Sequence, residues 1–197
     1  MPYLTESEVR EAAKGVVLRK RAISAASILK ESVEAASDAD TFDVFLCHAF
    51  RDAELVLGAK NILESKRLKV YVDWIVDPQM NRSNVTASTA GILRKRMRNS
   101  KSLFYLYSNN STQSRWMPWE LGYFDGHNGA VAILPIKPDG KRIDFSQEEY
   151  LGLYPKVEIQ DADLFINRTT DLPVPGDDKA NYRGFETWIS RPRELQL

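Results

Sequence analysis

Glu120 is the residue whose type and setting point most directly to chemistry. It lies in Ser114-Arg-Trp116-Met-Pro-Trp-Glu120-Leu, where Pro118 is favoured at the first position of a helix. With Pro118 first, Glu120 is the third helical residue, and the positive end of the helix dipole favours its ionised form at neutral pH. An ionised carboxylate in such a place stabilises positive charge that builds on a sugar carbon, as in glycoside cleavage. A plainer role stays open, because a glutamate in a first helical turn complements the dipole without touching any substrate. A capping box does not explain it: that pattern needs Ser, Thr, Asp or Asn three residues earlier, and Met117 stands there.

Other residues are candidates for binding. Trp119 precedes the apolar Leu121 and reads as core, whereas Trp116 lies before the helix and can line a pocket for a flat ring. Phe50 is the better stacking candidate, and Arg51 is equally a phosphate contact or an ion-pair partner for Asp52 or a nearby acid. Trp74 is either a lid residue or a self-association contact. Cys47 and His48 are adjacent in sequence, so on a strand they point to opposite faces and make a poor nucleophile–base couple. The chain has neither a glycine-rich phosphate loop nor a G-x-S-x-G elbow. With 1 cysteine and 2 histidines it allows no internal disulfide, and no metal site is expected.

These residues need a frame, and hydrophobic periodicity supplies one. Residues 5 to 36 read as helix, opened by a Thr5–Glu8 capping box and weakened at Gly15, where it can split in two. Ser37 to Asp40 reads as a short linker. From Thr41 strands and helices alternate. Phe42–Cys47, Lys69–Asp73, Ser102–Tyr107 and Ala130–Ile136 are apolar runs that suit buried parallel strands. Between them Asp52–Lys66, Val85–Arg98 and a segment from Pro118 to His127 are helical, the last closed by Gly129. The basic run Arg94, Lys95, Arg96, Arg98 reads as the exposed side of its helix. A polar loop holding Pro78, Asn81, Ser83 and Asn84 follows the second strand. Pro138-Asp-Gly140 is a turn, Val157–Ile159 a fifth, edge strand, and Phe185–Ile189 a short packing helix after a loop with Pro173, Pro175 and Gly176. This β-α-β-α succession predicts a doubly wound, flavodoxin-like sheet, with ligands at the carboxyl ends of the strands.

Composition narrows the partners. The 197 residues hold 27 basic and 27 acidic side chains, so no net field draws the protein to nucleic acid or an anionic membrane. No apolar run approaches the roughly 20 residues that a membrane-spanning helix needs, and no secretory signal is seen. A cytoplasmic location is expected.

Four segments carry a specific resemblance. Asp43-Val-Phe-Leu-Cys-His-Ala-Phe-Arg-Asp52 resembles the first box of Toll/interleukin receptor (TIR) domains, and Lys69-Val-Tyr-Val-Asp73 their second strand, which leads into the BB loop. Ser108 closes the third strand as the family's serine does, and Ser114-x-Trp116-x-x-x-Glu120-Leu is similar to the family's S-x-W-x-x-x-E-L segment. The match covers about residues 42 to 136. It implies a five-stranded parallel TIR fold over 41–160, with an N-terminal helical extension over 1–40 and a C-terminal extension over 161–197 packed on the domain. It further implies cleavage of NAD at the nicotinamide–ribose bond, giving ADP-ribose or a cyclic relative, in immune (antiphage) defence. Glu120 occupies the catalytic position. His48, Ala49, Phe50, Arg51, Asp73, Trp74, Ser108 and Trp116 are the expected substrate contacts.

NAD is a substrate on this reading, no cofactor is implied, and partners would be a second copy through TIR–TIR contacts and an effector that reads the nucleotide. Other members of the family are silent scaffolds that act by self-association, and a nucleoside N-glycosidase or deoxyribosyltransferase would need a carboxylate too. The sequence departs from the pattern at Cys47, where serine is usual, at Arg67-Leu68, where glycine commonly turns the chain, and at Pro78-Gln79, where Pro-Gly is frequent.

Overall fold

A computed structural model describes residues 3–74, 87–143, 145, 148–160, 163–168 and 182–192. The polar loop after the second strand, with Pro78, Gln79, Asn81, Ser83 and Asn84, lies outside them. So do Val85 and the loop carrying Pro173, Pro175 and Gly176.

Five parallel strands form the centre: β2 (Phe42–Cys47), β3 (Val70–Val72), β4 (Ser100–Tyr107), β5 (Val131–Lys137) and β6 (Lys156–Gln160), in the order β3-β2-β4-β5-β6. The strand order reverses between β2 and β4, the switch point at which such sheets bind ligands. Val44, Phe45, Leu46 and Cys47, and Leu103 through Leu106, are fully buried, so both faces of the sheet are covered, as parallel strands require. The flavodoxin-like reading holds.

The sheet extends beyond the five expected strands. β7 (Asp163–Asn167) and β8 (Tyr182–Gly184) add antiparallel to β6, and a two-residue strand, β1 (Leu4–Thr5), pairs with the end of β5. Val157–Ile159 is therefore interior and not an edge. The core of β7, Leu164-Phe-Ile166, is only three apolar residues long, too short for periodicity to separate strand from loop.

Thr5 caps α1 (Glu6–Lys20) with the expected reciprocal box to Glu8. The break in the N-terminal helical region falls at Arg21, which adopts the left-handed conformation at φ 50°, and not at Gly15. Ser24 then caps α2 (Ala25–Glu34). α1 lies so close across α3 (Ala53–Ser65) that a Cβ on Gly58 would meet the Val9 carbonyl oxygen at 1.9 Å. Val9, Ala13, Ile28 and Leu29 join the same buried core as the sheet.

α4 (Ala87–Arg98) corrects one expectation. Arg96 is buried, not solvated: its guanidinium donates to the carbonyls of Ala36, at 2.9 Å, and Ser37, and lies over the Tyr71 ring. A guanidinium that satisfies the orphan carbonyls past the end of α2 is a better use of that position than exposure. Lys95 and Asp38, and Lys69 and Asp40, tie down the same linker. Arg94 lies over the rings of Trp119 and Tyr123. α5 (Met117–His127) and the short α6 (Phe185–Ser190) complete the helices of the described residues. Among these residues no helix is long and apolar enough to cross a membrane.

Candidate active site

The first turn of α5 is built by the residues that looked like a motif. The Ser114 hydroxyl accepts the Met117 N–H at 3.4 Å, and the Trp116 carbonyl accepts the Glu120 N–H at 2.9 Å. The helix starts at Met117, so Pro118 is its second residue and Glu120 its fourth, one position later than the proline rule suggested. Pro118 still tolerates that place, because the first N–H groups of a helix have no partner within it. Glu120 is 5 % exposed.

Its neighbours come from the carboxyl ends of the strands. Cys47 ends β2 with its sulfur 3.8 Å from the Met117 carbonyl oxygen. Burial pushes the Cys47 thiol well above its usual range, and the carboxylates of Glu120, Asp73 and Glu148 push it further the same way. Three acidic groups from three segments therefore act on one buried thiol in the same direction. Tyr105, the in-register neighbour of Cys47 on β4, donates its hydroxyl to Glu148 at 3.1 and 3.3 Å to the two oxygens. Tyr150 donates to the same carboxylate at 3.1 Å. Burial is the first cause that raises both phenols, Tyr150 up to about 12.

Beside this acidic centre stands an aromatic wall. The Trp74 ring is stacked with His48 at 5.7 Å and with Phe50 at 4.9 Å between centroids. The His48 Nδ1 lies 2.8 Å from the Leu46 carbonyl, which makes it the protonated ring nitrogen. Trp74 is only 4 % exposed, so in this conformation it offers no face for the association contact weighed from the sequence. Ala49 is buried and accepts the Asp52 N–H, closing the turn that carries Phe50 and Arg51.

Two expected residues are engaged elsewhere. The Ser108 hydroxyl donates to the Asp52 carboxylate, which also accepts from Asn110 at 2.6 Å, so Ser108 shapes the loops after β2 and β4. Arg51 donates to the Gln113 side-chain oxygen at 2.9 Å rather than to Asp52. Trp116 and Trp119 meet edge to face at 5.2 Å, both half-buried. Thus Trp119 is not fully core.

The fold brings together Glu120, Asp73 and, against the same strand ends, the His48–Trp74–Phe50 stack. Glu148, Tyr105 and Tyr150 were missed by sequence reasoning. Tyr105 carried a usable signal, since a phenol within a buried strand must find a partner. Glu148 sits in a run of polar residues that reads as a surface turn. Among the described residues no group of His, Cys, Asp or Glu is arranged to hold a metal ion.

No protein-family model matches the chain. Among curated proteins it is 43 % identical, over 168 residues, to the "Probable 3' cyclic ADP-D-ribose synthase ThsB'" of Bacillus cereus (strain MSX-D12), a match spanning 85 % of this chain and 86 % of that protein. It is 29 % identical over 83 residues to the "Putative cyclic ADP-D-ribose synthase TIR2" of Cytobacillus dafuensis, covering 42 % of this chain and 22 % of that one.

Proposed function

The chain belongs to the bacterial TIR-domain family of cyclic ADP-ribose synthases, and on that premise we propose that it cleaves the nicotinamide–ribose bond of NAD and releases a cyclic ADP-ribose-type product in defence. The observation that carries this reading is the placement of Glu120. It is a buried carboxylate on the first turn of α5, beside the strand ends at the switch point. The name of the 43 % identical relative supports the product class.

The chemistry asks little of the protein beyond charge and position. Nicotinamide leaves a cationic pyridinium as a neutral molecule, so no strong acid is needed. Positive charge builds on the ribose instead, and a carboxylate at its hydroxyls stabilises that transition state. Phe50 and His48, half-buried and stacked with Trp74, provide flat surface for a heteroaromatic group. Capture of the ribosyl carbon by a hydroxyl of the same dinucleotide gives the cyclic product, and capture by water gives ADP-ribose. The test is to incubate the purified chain with NAD and follow nicotinamide and the nucleotide products by chromatography. Nicotinamide release with a cyclic product is expected, and release undiminished in Glu120→Ala would overturn the assignment.

A further inference from the structure

Glu148 is a costly residue to keep where it is. It is 8 % exposed, and none of the ion pairs among the described residues involves it. Its side chain is held by two neutral phenols, Tyr105 and Tyr150. Burying a carboxylate costs free energy that its hydrogen bonds have to offset. Yet the fold fixes it there. The loop that carries it is pinned by buried Lys156, whose ammonium donates to the carbonyls of Leu151 and Tyr154, each at 2.8 Å, and lies over the Phe145 ring. Tyr154 ties the same loop to α5 through Asp125, at 3.1 Å.

A run of contacts places Glu148 beside the first turn of α5, where Glu120 stands. Tyr105, its hydrogen-bond partner, is in register with Cys47, and Cys47 contacts the first residue of α5. Glu148 also lies near enough to the Cys47 thiol to act on its charge, as Glu120 does. Carboxylates beside the reacting carbon stabilise a transition state that is a cation.

We propose that Glu148 is a second catalytic carboxylate, the base that takes the proton from the hydroxyl capturing the ribosyl carbon. This rests on the NAD-cleaving reading above. The C1′–N bond breaks and its electron pair leaves on nicotinamide. The acceptor oxygen forms the new C1′–O bond, and its proton passes to Glu148 and then to solvent. With Glu120 engaged at the ribose hydroxyls, a second carboxylate is left to take this proton. The phenols of Tyr105 and Tyr150 hold the Glu148 carboxylate in place, donating to it at 3.1 to 3.3 Å.

A pyridine acceptor has no proton to lose, so exchange of labelled nicotinamide into NAD needs the bond broken but does not need this base. In the full-length chain, Glu148→Gln is expected to slow formation of cyclic and linear ADP-ribose products by on the order of 10²-fold, with base exchange within about threefold of wild type. Glu120→Ala loses both reactions. Equal loss of both in Glu148→Gln, or loss of neither, overturns the proposal. A wild type that shows neither reaction sinks the NAD reading and this assignment with it. If Glu148→Gln does not fold, Tyr150→Phe decides the same question. It removes one of the hydrogen bonds that position the Glu148 carboxylate, so product formation falls by on the order of tenfold while base exchange stays within about threefold of wild type; equal loss of both, or loss of neither, contradicts the proposal.

Discussion

Cys47 is held at the end of β2 with its thiol fully buried, and the acidic groups around it decide how it behaves. The thiolate is the reactive form, and burial first, then Glu120, disfavours it. At pH 7–8 the native protein should therefore resist iodoacetamide, and label at the rate of a free thiol only after denaturation; mass spectrometry of the intact chain reads this directly. Rapid labelling of the folded protein would mean that the pocket around Glu120 is open and not packed as described. At this scale the sequence pointed to Glu120 through the spacing Ser114-x-Trp116-x-x-x-Glu120 and through Pro118, which fits the first turn of α5. It did not point to Glu148. The partners of Glu148 are phenols, one of them 43 residues away on β4, and no local pattern encodes a contact at that separation.

The N-terminal helices show how an element is positioned by a single missing side chain. Gly58 lets α1 lie directly on α3, with the Val9 carbonyl where a methyl group would otherwise be. In an open helix, glycine to alanine stabilises by about 1 kcal/mol. Here the contact at 1.9 Å is with backbone, which cannot swing aside. Gly58→Ala should therefore lower stability, by about 1–3 kcal/mol as overpacking commonly does, seen as a lower urea midpoint with an unchanged slope. A stabilised variant would show that α1 does not sit against α3 in this way. The strands and helices of the centre were legible because each keeps its own period. The split at Arg21 was less so, since a left-handed arginine has no sequence signature, whereas Gly15 invites the break and sits inside α1 instead. Arg96 was misread for a related reason: a basic residue on a helix reads as solvated until the carbonyls of Ala36 and Ser37 are seen to meet it.

Over the whole molecule, the acidic and basic side chains balance, and the pH behaviour is set by buried groups. Burial is the first cause that raises Tyr3, Tyr71, Tyr105, Tyr150 and Tyr154, five of the eight tyrosines. A folded-state value above the unfolded one means the native state keeps protons that the unfolded chain gives up. The stability these groups contribute is thus full below the unfolded tyrosine value of about 10 and lost as the pH rises through the folded values, about 12 for Tyr150. Cys47 adds the same trend from about pH 8.5 upward. The urea midpoint should fall between pH 8 and pH 11, and absorbance at the phenolate band should show these tyrosines ionising only as the protein unfolds. Full phenolate formation with the fold intact would contradict the burial described. The extension of the sheet by β7 and β8 belongs to this scale as well, because Val157–Ile159 becomes interior only through its pairing with β7, whose apolar core of three residues is too short to read as a strand. The central claim is that the charge of Glu120, at the start of α5, breaks the nicotinamide–ribose bond. Glu120→Gln keeps the size and removes only that charge, so nicotinamide release from NAD by this variant and by wild type, at matched thermal stability, is the most direct test. Release falling to background in Glu120→Gln is the predicted result; release at the wild-type rate would contradict the account.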